Sequence, residues 1–223
     1  MVKLRAADGH ALDAYQAGEA GAHGAPRPGL VVVQEIFGVN HHIRSMCDRF
    51  AALGFLAIAP ALFDRVKPGL EYGYATADVA KGRDARMKLT DEMVKADVEA
   101  AAKALGDRPL GIVGYCFGGT VTWNMACRTG LFRAASGWYG SGVAATRSET
   151  PRCPVQLHFA EHDHSIPLTD VALVREAQPG VSVEVYAGAE HGFGCDERAS
   201  FHPPSFTIAF GRTLRLFDAH LRP

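Results

Sequence analysis

A thiol, a carboxylate and an imidazole stand in this chain at positions that fit one reaction. Gly114-Tyr115-Cys116-Phe117-Gly118-Gly119 joins the end of an apolar strand pattern to the start of a helical one. It reads as the G-x-S-x-G nucleophile elbow with cysteine in the place of serine. A sharp strand-to-helix turn needs small flanking residues and lifts its central side chain into view. It also sets the next N–H at a helix N-terminus, where developing negative charge is stabilised. A thiol of ordinary pKa, about 8.5, is mostly protonated at neutral pH. An adjacent imidazole can take or share that proton, and a carboxylate fixes the imidazole's tautomer. The expected chain order of nucleophile, acid and histidine selects Asp163 and His191. Asp163 follows the strand pattern Val155 to Phe159, and His191 follows Val181 to Tyr186. The competing reading of Cys116 is a buried structural thiol beside a glycine-rich turn. Cys47, Cys127, Cys153 and Cys195 lack the elbow setting and read as inert.

The remaining histidines have plainer readings. His158 lies within a strand pattern and reads as a satisfied interior or half-exposed residue, His162 and His164 as loop residues, and His41 and His42 as rim or surface residues. Zinc on His158, His162 and Asp163 is disfavoured, because neighbouring positions on a strand end alternate faces and converge poorly. No metal and no cofactor is expected.

The elements that must position these groups alternate. Leu30 to Val33 reads as a buried parallel strand. Asn40 caps a helix running to about Leu53, and Gly54 ends it. Phe55 to Ala59 is a second buried strand, and Ala61 to about Ala80 an irregular excursion bordering the pocket. Arg83 to Leu105 reads as one long helix, with Met87, Val94, Val98 and Ala101 facing inward. Then come strand Leu110 to Tyr115, helix Phe117 to Thr129, strand Phe132 to Tyr139, helix Leu168 to Ala177 and a final helix from about Pro204 to His220. Such alternation predicts a mostly parallel central sheet with helices on both faces, with chemistry beyond the carboxyl ends of the strands.

The 223 residues suit one α/β domain over 1–223, and Gly18 to Gly29 reads as a flexible connection within it. With 48% apolar residues there is material for a sizeable core, and the net charge of −1 recruits neither nucleic acid nor acidic lipid. The N-terminus carries no apolar signal segment, and no apolar run approaches the ~20 residues of a membrane helix. Five scattered cysteines read as reduced thiols, which makes the cytoplasm the expected compartment.

Together, Gln34-Glu35-Ile36-Phe37-Gly38-Val39-Asn40, the Cys116 elbow, Gly137-Trp138-Tyr139-Gly140, His162-Asp163-His164 and His191-Gly192-Phe193 resemble the dienelactone hydrolase family, of α/β-hydrolase fold. The resemblance covers about Leu30 to Phe217. It implies hydrolysis of a small unsaturated carboxylated lactone through a cysteine acyl-enzyme, without a cofactor. It further implies an oxyanion hole from the Ile36 and Phe117 N–H groups. Glu35 is expected to approach the resting thiol and, once substrate binds, to accept its proton. An alternative for Glu35 is a buried carboxylate paired with an arginine. Arg83 falls where a substrate-carboxylate clamp is expected, Arg86 competes with it, and surface arginines are the alternative for both. The second clamp position holds Cys195, and Arg198 is a substitute from further along the loop. Trp138 and Tyr139 match pocket-lining aromatics, with Phe37 and Phe193 as further candidates, core packing being the other reading.

Two further functions compete with the lactone hydrolase. One is a broader carboxylesterase or thioesterase with the same triad, the other a non-catalytic binding protein on a hydrolase fold. The substrate is a small molecule in the first two cases, and the oligomeric state is not legible.

Overall fold

The computed structural model describes residues 1–19 and 27–222, so residues 20–26 of the Gly18 to Gly29 connection lie outside the described residues. The described chain clusters into two compact units, Met1–Leu110 and Gly111–Pro223.

In the first unit, two short strands that the sequence reading left unassigned come first. β1 (Val2–Arg5) and β2 (Ala11–Ala17) alternate between covered and solvated positions, as antiparallel strands with one wet face do. Leu4 pairs with Leu12 across them. β3 (Gly29–Val33) and β4 (Leu56–Pro60) are instead buried at every residue and run parallel, as their continuous apolar runs require. The strand order here is β1-β2-β4-β3, with β2 antiparallel to β4. Helix α1 (His41–Ala52) begins where expected: the Asn40 side chain accepts a hydrogen bond from Ile43 N at 3.3 Å. It buries Ile43, Met46, Cys47 and Phe50, and also His42, which the sequence places at the rim or surface.

The long helix expected over 83–105 is two helices, α2 (Thr76–Met87) and α3 (Asp91–Ala104). Thr90 causes the break: its hydroxyl accepts from Met93 N at 3.3 Å, and Asp91 and Glu92 complement the helix N-terminus behind it. Val94, Val98 and Ala101 are buried as expected, but Met87 ends α2 and is 81% exposed. The excursion is also shorter than expected. A 3₁₀ turn covers Leu62–Arg65 and α2 starts at Thr76, which leaves 66–75 irregular. That stretch is pinned to the segment after β3. Tyr72 N donates to Phe37 O at 3.0 Å, and Asn40 Nδ2 donates to the Tyr74 hydroxyl at 3.0 Å. The Tyr74 ring sets its edge against Phe37 at 4.7 Å.

The second unit is wholly parallel. β5 (Leu110–Tyr115), β6 (Ala134–Trp138), β7 (Val155–Ala160) and β8 (Ser182–Tyr186) lie in that order. Helix α4 (Phe117–Arg128) packs on β6, α5 (Leu168–Ala177) on β8, and α6 (Pro203–Leu221) on β6 and β7. No helix among the described residues is long and apolar enough to cross a membrane.

Candidate active site

The elbow between β5 and α4 is built by close backbone approach. Cys116 takes φ 55° and ψ −115°, a region non-glycine residues visit at a cost of about 1–3 kcal/mol. Its N–H donates to Trp138 O at 2.9 Å, which ties the strained residue to the end of β6. A β-carbon on Gly114 would stand 2.1 Å from Gly118 O, and one on Gly119 2.3 Å from Trp138 O. Gly114 and Gly119 are therefore steric necessities. Phe117 is the first residue of α4, where backbone N–H groups point out along the helix axis.

The three residues selected from the sequence meet at this point. His191 Nε2 lies 3.2 Å from Cys116 Sγ, and His191 Nδ1 lies 2.7 Å from Asp163 Oδ2. Ser165 N donates to the other Asp163 oxygen at 2.8 Å, so the carboxylate is fixed at both ends. Because Asp163 accepts from Nδ1–H, the imidazole presents Nε2 to the sulfur. Burial alone would lower the His191 pKa. The negative charge on Cys116 and the hydrogen bonds to Asp163 and Cys116 outweigh it, and the imidazole is pushed up to about 10. The site thus favours a protonated imidazole beside the sulfur. Elsewhere burial works against ionisation, raising the thiols of Cys47, of Cys127 to about 12 and of Cys153 to about 11.

Tyr139 stands edge-on to the His191 ring with centroids 5.1 Å apart, and it too has a positive φ of 38°. Sequence reasoning treated Tyr139 as a pocket or core aromatic and did not foresee this contact. Trp138 is fully buried and stacks on Phe193 at 5.5 Å. Arg198 is half-buried in the loop after His191. A β-carbon on Gly192 (φ 82°) would lie 2.5 Å from its guanidinium, so the cation sits against the backbone beside His191. Cys195 is completely buried.

The remaining candidates belong to the first unit. Glu35 is fully buried just beyond β3, and Phe37 is buried close after it. Gln34 braces this segment: its side-chain amide donates to Glu35 O at 3.2 Å and accepts from Leu62 N at 3.0 Å. Gly38, at φ 80°, is required because a β-carbon there would stand 2.3 Å from Leu70 O. Helix α2 reaches the same segment, for a β-carbon on Gly82 would lie 2.1 Å from Ile36 O. Arg83 follows on that helix and is exposed. Arg86 reaches past the C-terminal end of its helix and donates to Leu89 O at 3.0 Å.

Comparison with known proteins places this chain among enzymes. The model of the dienelactone hydrolase family matches residues 12–221. A candidate carboxymethylenebutenolidase of Synechocystis sp. is 31% identical over 87% of this chain and 87% of its own. A candidate carboxymethylenebutenolidase of Azospirillum brasilense is 32% identical over 99% and 98%. The crystal structure of a candidate dienelactone hydrolase of Klebsiella pneumoniae superposes with a TM-score of 0.86, at 33% identity, over 97% of this chain and 98% of that one. The fold is the α/β-hydrolase fold.

Proposed function

The chain belongs to the dienelactone hydrolase family, whose members hydrolyse esters and lactones, and we propose that it opens a small unsaturated carboxylated lactone through a cysteine acyl-enzyme. The observation that carries this reading is the hydrogen-bonded chain Cys116–His191–Asp163, at 3.2 and 2.7 Å. In the proposed reaction the Cys116 thiolate attacks the lactone carbonyl carbon. The carbonyl oxygen becomes an oxyanion held by the N–H groups of Phe117 and Ile36. Collapse breaks the ring C–O bond, and the departing enolate oxygen takes the proton from His191. A water molecule then attacks the thioester while His191 accepts its proton. Release of the thiolate leaves the acid product and restores the triad. Within this reading Glu35 approaches the resting thiol, accepts its proton as substrate binds and returns it once the product leaves, so the proton given to the leaving oxygen is the one His191 already carries. Arg83, Arg86 and Arg198 are the candidate clamps for the substrate carboxylate, with Phe37, Trp138 and Tyr139 lining its place. No metal or cofactor takes part, and the expected compartment is the cytoplasm.

A broader carboxylesterase or thioesterase using the same triad is the second reading. Cys195 favours it, because a buried thiol stands where a clamp arginine is expected, and one charged hydrogen bond is worth roughly 1.5–3 kcal/mol. Arg198, seated beside His191, weighs towards the first. The purified protein is to be assayed on a dienelactone and on a simple aryl ester, with Cys116→Ala in parallel and with added chelator. Dienelactone turnover that is lost in the variant and unmoved by chelator is expected. Equal activity in both proteins would sink the cysteine mechanism, and turnover of the aryl ester alone would establish the second reading.

A further inference from the structure

Behind the triad, in the same unit, is a buried chain of polar groups that the reaction as written does not use. His158 on β7 is fully buried. Its Nδ1 lies 2.7 Å from the Tyr186 hydroxyl at the end of β8, and its Nε2 lies 3.2 Å from the Thr213 hydroxyl on α6. Thr213 in turn lies 2.8 Å from the Ser136 hydroxyl on β6. The Trp138 indole N–H donates to both, at 3.2 Å to Ser136 and 3.3 Å to Thr213.

The hydrogen bonds in this chain have a definite direction. Arg212 Nη1 donates to the Tyr186 oxygen at 3.3 Å and is itself held by Glu184 at 2.8 Å. A guanidinium cannot accept, and among the described contacts of the Tyr186 hydroxyl His158 Nδ1 is the one group able to take its hydrogen, so the O–H is assigned to donate to Nδ1. Nδ1 is therefore bare and the ring proton sits on Nε2, aimed at Thr213. Thr213 already accepts from that N–H and from Trp138, so its own hydrogen goes to Ser136. The ring stays neutral: burial and the nearby Arg212 charge push its pKa down to about 3.

What this chain fixes is the ground on which the triad histidine rests. The anchored Trp138 indole stacks on Phe193, two residues beyond His191. A β-carbon on Gly194 would lie 3.0 Å from the same indole, so the loop backbone passes directly over it. The His158 carbonyl accepts from Tyr139 N at 2.7 Å and so holds the residue whose ring edge meets His191.

We propose that His158 is a positioning residue of the hydrolase: as the Nε2–H tautomer dictated by Tyr186, it orders the hydroxyls that pin Trp138, and Trp138 sets the loop carrying His191. The inference rests on the reading of Cys116, His191 and Asp163 as the reacting groups. A displacement of such groups by about 1 Å can cost on the order of 100-fold in rate, so a partial loosening is expected to cost roughly tenfold.

Two variants test it, Tyr186→Phe, which removes only the hydroxyl, and His158→Gln. Each is measured for kcat and KM on the ester or lactone that the wild type turns over, for thermal midpoint, and for alkylation at Cys116 read by peptide mass. Nitrogen NMR of the wild type reads the His158 tautomer directly. The expected result is a bare Nδ1 in the wild type and a kcat lowered roughly tenfold in Tyr186→Phe. KM should stay within about twofold, with Cys116 still fully alkylated. A lowered thermal midpoint with unchanged kcat per alkylated site would mark a merely structural role and overturn the proposal, as would a protonated Nδ1. If His158→Gln does not fold, Tyr186→Phe decides alone. Wild-type activity that survives Cys116→Ala would instead break the triad reading, and the positioning role with it.

Discussion

Two buried carboxylates of this molecule each face a cation, and they lead to opposite ends. In the first unit Asp97 takes both prongs of Arg65, at 2.8 and 2.7 Å, and a third guanidinium nitrogen meets Asp8 at 2.7 Å. In the second unit Asp163 holds His191 at 2.7 Å, and the imidazole's far nitrogen is passed on to a sulfur. Arginine is always charged and spends its donors on its partners, so the Arg65 cluster is closed. Histidine has one nitrogen for orientation and one for chemistry, and can give up its proton within the accessible pH range. The lesson is that burial and pairing alone do not mark a reactive site. The pair must include a member that can lose its proton and a neighbour that can take part.

The comparison can be broken first at the triad. Cys116→Ala should reduce turnover by roughly a millionfold, as loss of a triad nucleophile does, measured as kcat on whichever substrate the wild type accepts. Asp163→Asn should cost about 10⁴-fold in kcat, because an amide presents the wrong tautomer to His191. Activity in Asp163→Asn near that of the wild type would show that the carboxylate does not orient the ring.

The closed cluster should respond in stability instead. Asp97→Ala leaves the nearly buried Arg65 side chain short of its main partner and should cost about 3–5 kcal/mol in urea unfolding. Turnover per folded molecule should stay unchanged. An equal loss of turnover in the folded fraction would show that the two clusters are not separable.

The difference between them should also be visible in pH. Folded His191 keeps its proton up to about 10, against about 6.5 when unfolded. Its pairing therefore stabilises the fold fully below about 6.5 and is lost as pH rises through about 10. Urea midpoints of wild type and His191→Gln should converge across that window. In Cys116→Ala the His191 pKa should fall, because the negative charge of the sulfur helps to hold it up. Imidazole NMR titration reads this, and an unmoved pKa would assign the whole effect to Asp163. The smallest expected change is Thr90→Ala, which removes the cap separating α2 from α3 and should cost ~1 kcal/mol in thermal unfolding with no effect on turnover.

Much of the candidate site is legible in the residues themselves. A glycine-flanked cysteine between an apolar run and a helix can be read because the turn admits little else. Asp163 and His191 can be read because each follows a buried strand, and strand ends are where such groups gather. Asn40 as a helix cap is equally local. Less legible are features with weak or competing local signals. The break at Thr90-Asp91-Glu92 lies inside a helical periodicity that runs on through it, which hid two helices and left Met87 assigned to the wrong side. β1 and β2 are short and half-solvated, so their alternation is easily taken for an irregular start. The bond from Arg86 to Leu89 O is a matter of rotamer, which no local pattern encodes.

By itself, then, the sequence determined the α/β pattern, the elbow and the order of the three groups proposed to react, all of which follow from backbone sterics and short-range periodicity. Only the tertiary structure decided that His191 reaches Cys116 and Asp163 at hydrogen-bond distance, that Tyr139 rests on its ring, and that Tyr186, His158, Thr213 and Ser136 join into one directed chain. Those residues are separated by up to 77 positions, and no local preference encodes contacts at that range. They form because polar groups buried together must find partners in one another.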